Sequence, residues 1–195
     1  MSSSSARVVG ELSSSAAVFI YKSDSSAGRA WNDLEKIHAT QHGIRGELHS
    51  DKSSFLLALS AWNSVVDSAE SYLCIYSHAG LEGIAPDGNK SPASSIVRWN
   101  ELATALPHGV RYLWLLGCET QSVLDRWREL EVPVAHHLLV TTTSFYWQPF
   151  LEFFALEISA DTIISNDEIS SVLERKSPDL AKHSQFYDFD NWIPR

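Results

Sequence analysis

The hydrophobic pattern of the chain changes period several times, and each change marks a new element. Six consecutive apolar residues, Ala16 to Tyr21, follow a polar, Ser-rich lead-in. An unbroken run of that length suits a strand buried on both faces. The turn-rich segment KSDSSAG then gives way to a helical spacing with Trp31, Leu34, Ile37 and His38 on one face. Gly43 closes that helix, and IRGELHS reads as a second, weaker strand. Asp51 or Ser53 is placed to cap a longer helix, whose stripe is Phe55, Leu56, Leu59, Trp62, Val65 and Val66.

The alternation continues down the chain. SYLCIYS (71–77) predicts a strand, and Gly83, Pro86, Gly88 and Pro92 mark the loop behind it. VRWNELATALP predicts a helix that Pro107-His108-Gly109 breaks, and VRYLWLLG (110–117) is another unbroken apolar strand. Cys118-Glu119-Thr120 precedes the helix QSVLDRWREL; AHHLLVTTT (135–143) then predicts a strand and QPFLEFFALEI an aromatic-rich helix. Beyond Ser165 the pattern weakens to one helical stretch, NDEISSVLERK, and the tail HSQFYDFDNWIPR. No repeat is visible. Residues 1–15 are expected to be flexible and 16–195 to form one domain. Strands alternating with helices imply an α/β fold, a mostly parallel sheet covered on both faces and joined by right-handed crossovers.

Composition narrows the function. The 195 residues are 44% apolar with seven Trp, enough to build a core without disulfide or metal staples. The net charge of −9 and the lack of a basic stripe argue against nucleic acid as a partner. No apolar run nears the ~20 residues needed to cross a bilayer, so no membrane partner is expected. The two cysteines, Cys74 and Cys118, cannot make a disulfide framework, and no CxxC or Cys/His cluster suggests a metal. That usage fits a reducing, cytoplasmic setting.

In such sheets the working residues gather at the carboxyl ends of the strands. His78 ends one predicted central strand and Cys118 the next, so the two should face each other across one cleft. A thiol there is a nucleophile once deprotonated, and a nearby imidazole can take its proton and return it to a leaving group. Thr120, as N-cap of the following helix, would set the positive end of a helix dipole beside Cys118. Backbone N–H groups at Ala79, Gly80 or Cys118 are candidates to receive an oxyanion. Taken singly, a strand-end histidine is more often a polar loop residue and a lone cysteine more often core. Only the pair carries a mechanism. Cys74, inside its strand, reads as core, and the other histidines lack companions at ligand spacing.

The sequence "SHAG" at a strand end, the helix "WNELATAL" and then "VRYLWLLGCET" resemble the caspase-like cysteine peptidases, particularly the CHAT domains. AHHLLVTTTSFYW and the Phe-rich helix behind it look like that family's next strand and helix, so the resemblance covers residues 18–159. It implies a caspase-like three-layer sandwich, His78 as general base and acid, and Cys118 as nucleophile. It also implies hydrolysis of an amide bond in a protein substrate, with no metal or cofactor, and control by an activating protein partner. The sequence departs from the family pattern at Ala79, where a glycine usually follows the histidine directly, and mildly at Gly117, where alanine is usual.

The resemblance further implies that the end of the first strand lines the primary specificity pocket. Asp24, with Glu119, would favour a basic substrate residue; Lys22 would favour an acidic one. Asp24 is equally well placed to cap the helix behind it, with both residues then solvated in a turn. Other thiol chemistries fit less well. A cysteine phosphatase needs an Arg where Leu124 stands, and an amidotransferase elbow needs Gly where Thr120 stands. The rival to the enzyme is a caspase-like scaffold that binds partners and cleaves nothing.

Overall fold

In a computed structural model the protein is a mixed α/β sandwich. The structure describes residues 6–40, 43–128, 130, 134–142, 170–171, 174–175 and 178–188. Its strands are β1 (Arg7–Val9), β2 (Ala16–Tyr21), β3 (Ile44–His49), β4 (Tyr72–Gly80), β5 (Gly83–Ala85), β6 (Val97–Arg98), β7 (Val110–Leu116), β8 (Ala135–Thr141) and β9 (Ser184–Asp188). The helices are α1 (Ser25–Thr40), α2 (Lys52–Asn63), α3 (Trp99–Thr104), α4 (Val123–Trp127) and α5 (Pro178–Lys182).

The main sheet runs β1-β3-β2-β4-β7-β8-β9. Its centre is parallel, from β3 through β2, β4 and β7 to β8, and both edges are antiparallel. Every residue of β2 is buried, as a strand covered on two faces requires. Alternation then sorts the side chains. Val18, Ile20, Cys74, Tyr76, Trp114 and Leu116 point to the face where Ala30, Trp31 and Leu34 of α1 pack. Phe19, Tyr21, Leu73, Ile75, Leu113 and Leu115 point to the other, against Phe55, Leu59 and Trp62 of α2, Leu102 of α3 and Trp127 of α4. The helices thus form two outer layers. Cys74 is fully buried, and burial pushes its thiol pKa well up, so it is core as expected.

Several boundaries depart from the sequence reading. Within the lead-in, Arg7–Val9 pairs antiparallel with β3 as an edge strand. The strand expected at 71–77 extends to Gly80. Its main-sheet partners stop at Ser77 on the β2 side and at Tyr76 on the β7 side, and residues 78–80 pair instead with β5. The loop behind it is therefore a hairpin, continued by β5–β6 pairing. The VRWNELATALP helix is confined to Trp99–Thr104 because Val97 and Arg98 are taken by that pairing. The α2 helix is capped by Asp51, which accepts from Ser54 N, and it ends before Val65 and Val66. The tail supplies β9 through SQFYD, which the pattern did not reveal. The QPFLEFFALEI helix lies outside the described residues.

Candidate active site

Three strand ends converge at the carboxyl edge. β2 ends at Tyr21, and Lys22-Ser23-Asp24 leads into α1. The Asp24 carboxylate accepts from the Ser26 backbone N–H at 2.8 Å and the Ser26 hydroxyl at 2.5 Å, which caps the helix. Its other oxygen, Oδ2, lies 2.5 Å from His78 Nε2. Lys22 Nζ lies 3.1 Å from the same Nε2, 3.6 Å from Asp24 Oδ2 and 4.6 Å from the Tyr76 ring centre. Lys22 is only 4% exposed. The expectation of two solvated turn residues therefore fails: Lys22 is buried under the site, and Asp24, though it does cap α1, binds the histidine as well.

His78 itself stands where β4 leaves the main sheet for the hairpin. Ser77 fixes that departure, its hydroxyl donating to Tyr21 O at 2.9 Å and, in a second contact, lying 3.0 Å from Ala85 O. Gly88 has φ +54°, and a Cβ there would come within 3.5 Å of His78 Nδ1. The backbone of the β5–β6 connection thus packs against the imidazole beside Cγ.

Cys118 follows β7, the parallel neighbour of β4, and is half-buried. The two strand ends are drawn tightly together. A Cβ on Gly117 would stand 2.5 Å from Ser77 O, 3.2 Å from Ala79 Cβ and 3.4 Å from Ala79 N. The Ala79 amide therefore sits at the junction of the two strands. Gly80 follows at the hairpin end, its carbonyl accepting from the Ser122 hydroxyl at 3.0 Å. Glu119 is exposed and adopts φ 55°, a left-handed conformation that costs a non-glycine residue about 1–3 kcal/mol. Backbone strain thus falls on the residue directly after Cys118.

Thr120 does not cap a helix. Its hydroxyl points into the core, donating to Leu115 O at 2.9 Å and accepting from Thr141 N at 2.8 Å. The Thr141 hydroxyl in turn donates to Gly117 O. A short 3-10 turn, Thr120–Ser122, separates Cys118 from α4, which starts only at Val123. Because a helix dipole acts within its first turn, the expected helix-terminus support for a Cys118 thiolate is not built here. Lys22 is the buried cation of this cluster instead, its Nζ against His78 Nε2. The Thr120–Thr141 pair was missed because its partner lies one strand away and 21 residues on.

Burial and neighbouring charges act in opposite senses on Asp24 and Lys22. Burial pushes the Asp24 carboxyl up, but hydrogen bonds from Ser26 and His78 and the charge of Lys22 outweigh it and hold it well below the usual carboxylate range. Burial pulls the Lys22 ammonium down, with Asp24, Cys118 and Asp87 opposing. Two further histidines have carboxylate partners that spacing did not suggest: His49 with Glu47, and His137 with Asp188. No cluster of three or more His, Cys, Asp or Glu capable of holding a metal exists among the described residues.

No protein-family model matches the sequence, and no curated protein matches it. Solved structures do match. A secreted C11 cysteine protease from Bacteroides thetaiotaomicron, "iotapain", superposes with a TM-score of 0.58 at 11% identity, over 90% of this chain and 66% of that one. The fold is caspase-like. A structure of a secreted C11 cysteine protease from the same organism, in complex with an irreversible peptide inhibitor, superposes with a TM-score of 0.51 at 14% identity, over 88% of this chain and 65% of that one. The chain thus spans just under two thirds of the length of the solved structures it matches. No helix among the described residues is long and apolar enough to cross a membrane.

Proposed function

We propose that the protein is a caspase-like cysteine endopeptidase in which Cys118 is the nucleophile and His78 the general base and then acid. The observation that carries this is the convergence of β4 and β7: the strand bearing His78 and the strand leading to Cys118 are parallel neighbours, held close at Ser77, Ala79 and Gly117. The fold shared with C11 cysteine proteases supports it at the level of architecture.

The steps follow from the groups present. His78 takes the Cys118 thiol proton, and the thiolate attacks the substrate carbonyl. The Ala79 and Gly80 backbone N–H groups receive the oxyanion. His78 then gives its proton to the leaving amine, and water, activated by the same imidazole, hydrolyses the thioester and frees the thiol. With both Asp24 oxygens engaged by Ser26 and His78, the preference for a basic substrate residue falls to Glu119. Control by a protein partner and a CHAT-type affiliation rest on the motif resemblance. A cytoplasmic setting rests on the low cysteine content of the sequence, whereas the C11 neighbours are described as secreted.

The test is an electrophilic peptide probe with a basic residue before the warhead. Wild type should be labelled on Cys118, Cys118→Ala should lose the label, and His78→Ala should slow labelling by about 100-fold. Two sluggish thiols, indifferent to either substitution, would replace the enzyme with the binding scaffold.

A further inference from the structure

One nitrogen of His78 faces two groups that make opposite demands on it. Lys22 Nζ lies 3.1 Å from Nε2, and an ammonium can only donate, so that contact requires Nε2 to be an acceptor. Asp24 Oδ2 lies 2.5 Å from the same Nε2, and an ionised carboxylate can only accept, so that contact requires an N–H. A neutral imidazole satisfies one demand or the other, and the choice decides which nitrogen is left basic.

Geometry favours Asp24. Both contacts involve an ionised partner, and the one to Asp24 is the shorter, 2.5 Å against 3.1 Å. Asp24 is also anchored as an acceptor by two donors from Ser26 at the start of the 16-residue α1. Lys22 has other outlets, since its ammonium can turn to Asp24 Oδ2 at 3.6 Å and to the face of Tyr76. Gly88 lies against the ring beside Cγ and Nδ1 and brings backbone and no side chain there.

We propose that Asp24 is a positioning residue that holds neutral His78 as its Nε2–H tautomer, leaving Nδ1 as the proton acceptor, and that Lys22 is the competitor that imposes the opposite tautomer when Asp24 is lost. This rests on the reading of His78 as the base, and it gives Asp24 a role in orienting the catalyst in place of one in reading the substrate. Loss of Asp24 would then do more than loosen the imidazole. It would put the proton on the nitrogen that must receive one.

The test reads the tautomer directly. Protein labelled with 15N-histidine gives long-range proton–nitrogen correlations from each ring, and His78→Ala identifies the His78 pattern. At a pH where the ring is neutral, wild type and Lys22→Met should both show Nε2–H. Asp24→Asn can keep an oxygen for Ser26 while turning an amide N–H toward Nε2, so it preserves the helix cap and should invert the pattern to Nδ1–H. Probe labelling of Cys118 should fall by about 100-fold in Asp24→Asn. Asp24→Ala should fall likewise, and adding Lys22→Met to it should restore part of the rate by removing the competing donor. An Nδ1–H pattern in wild type, or an unchanged Nε2–H pattern in Asp24→Asn, would overturn the proposal. Wild type with Nε2–H but an unreactive Cys118 would uphold the tautomer assignment and sink the peptidase reading instead.

Discussion

At Gly117 two parallel strands approach more closely than any side chain allows. A Cβ there would fall 2.5 Å from the Ser77 carbonyl, which is backbone and cannot rotate away. From sequence, glycine in place of a family alanine looked like a mild change. The structure makes it a requirement of this particular chain, whose His78 strand leaves the sheet one residue beyond the contact. Gly117→Ala should therefore push the end of β7 off β4, destabilising the fold by about 1–3 kcal/mol in urea titrations. Probe labelling of Cys118 should fall with it, because the Ala79 amide lies against the same contact and moves with the strand end. Wild-type labelling and stability in that variant would show that the strand ends have room to spare.

The turn after β7 owes its shape to β8. Thr120 accepts from the Thr141 backbone N–H, and the two hydroxyls donate to the carbonyls of Leu115 and Gly117, so the segment carrying Cys118 is clamped between two strands. Thr141→Val keeps the shape and removes the hydroxyl, leaving the Gly117 carbonyl without that donor; about 1–3 kcal/mol of stability should be lost. Labelling of Cys118 should slow in parallel, and labelling that held steady would mean the turn keeps its shape unaided. This element shows what a single sequence discloses. Runs such as AAVFIY and VRYLWLL announce buried strands because both of their faces are covered, whatever the partner. Partner-dependent features stay silent: the Thr120–Thr141 bond, the hairpin that captures His78–Gly80, and the edge strand SQFYD all need a distant segment to define them. The site was legible to the same extent. His78 and Cys118 could be paired by strand order, while the grip of Lys22 and Asp24 on the imidazole required the β2–β4 register.

For the molecule as a whole, acid sensitivity should come from carboxylates fixed as anions. Glu47 on β3 is 2% exposed and lies 2.5 Å from Arg45 Nε and 2.7 Å from His49 Nε2. Burial pushes its carboxyl up, but the hydrogen bonds and charges of His49 and Arg45 outweigh that and leave it below the ordinary value of 4.5. Asp24 is held below its ordinary value of 3.8 in the same sense. On unfolding both groups return to those ordinary values, so between the ordinary and depressed values the unfolded chain binds more protons. Their stabilisation is then fully present above about pH 5 and is lost as pH falls through the depressed values, each group contributing a slope of at most ~1.4 kcal/mol per pH unit. Glu47→Gln should flatten the Glu47 share of that slope. It should also cost about 3 kcal/mol at neutral pH, because buried His49 and half-buried Arg45 lose their anion. Urea midpoints measured from neutral pH down to about pH 3, for wild type and Glu47→Gln, separate the two effects. A variant with the wild-type slope would place the acid sensitivity elsewhere, leaving Asp24, beside the imidazole it orients, as the remaining carboxylate of the pair.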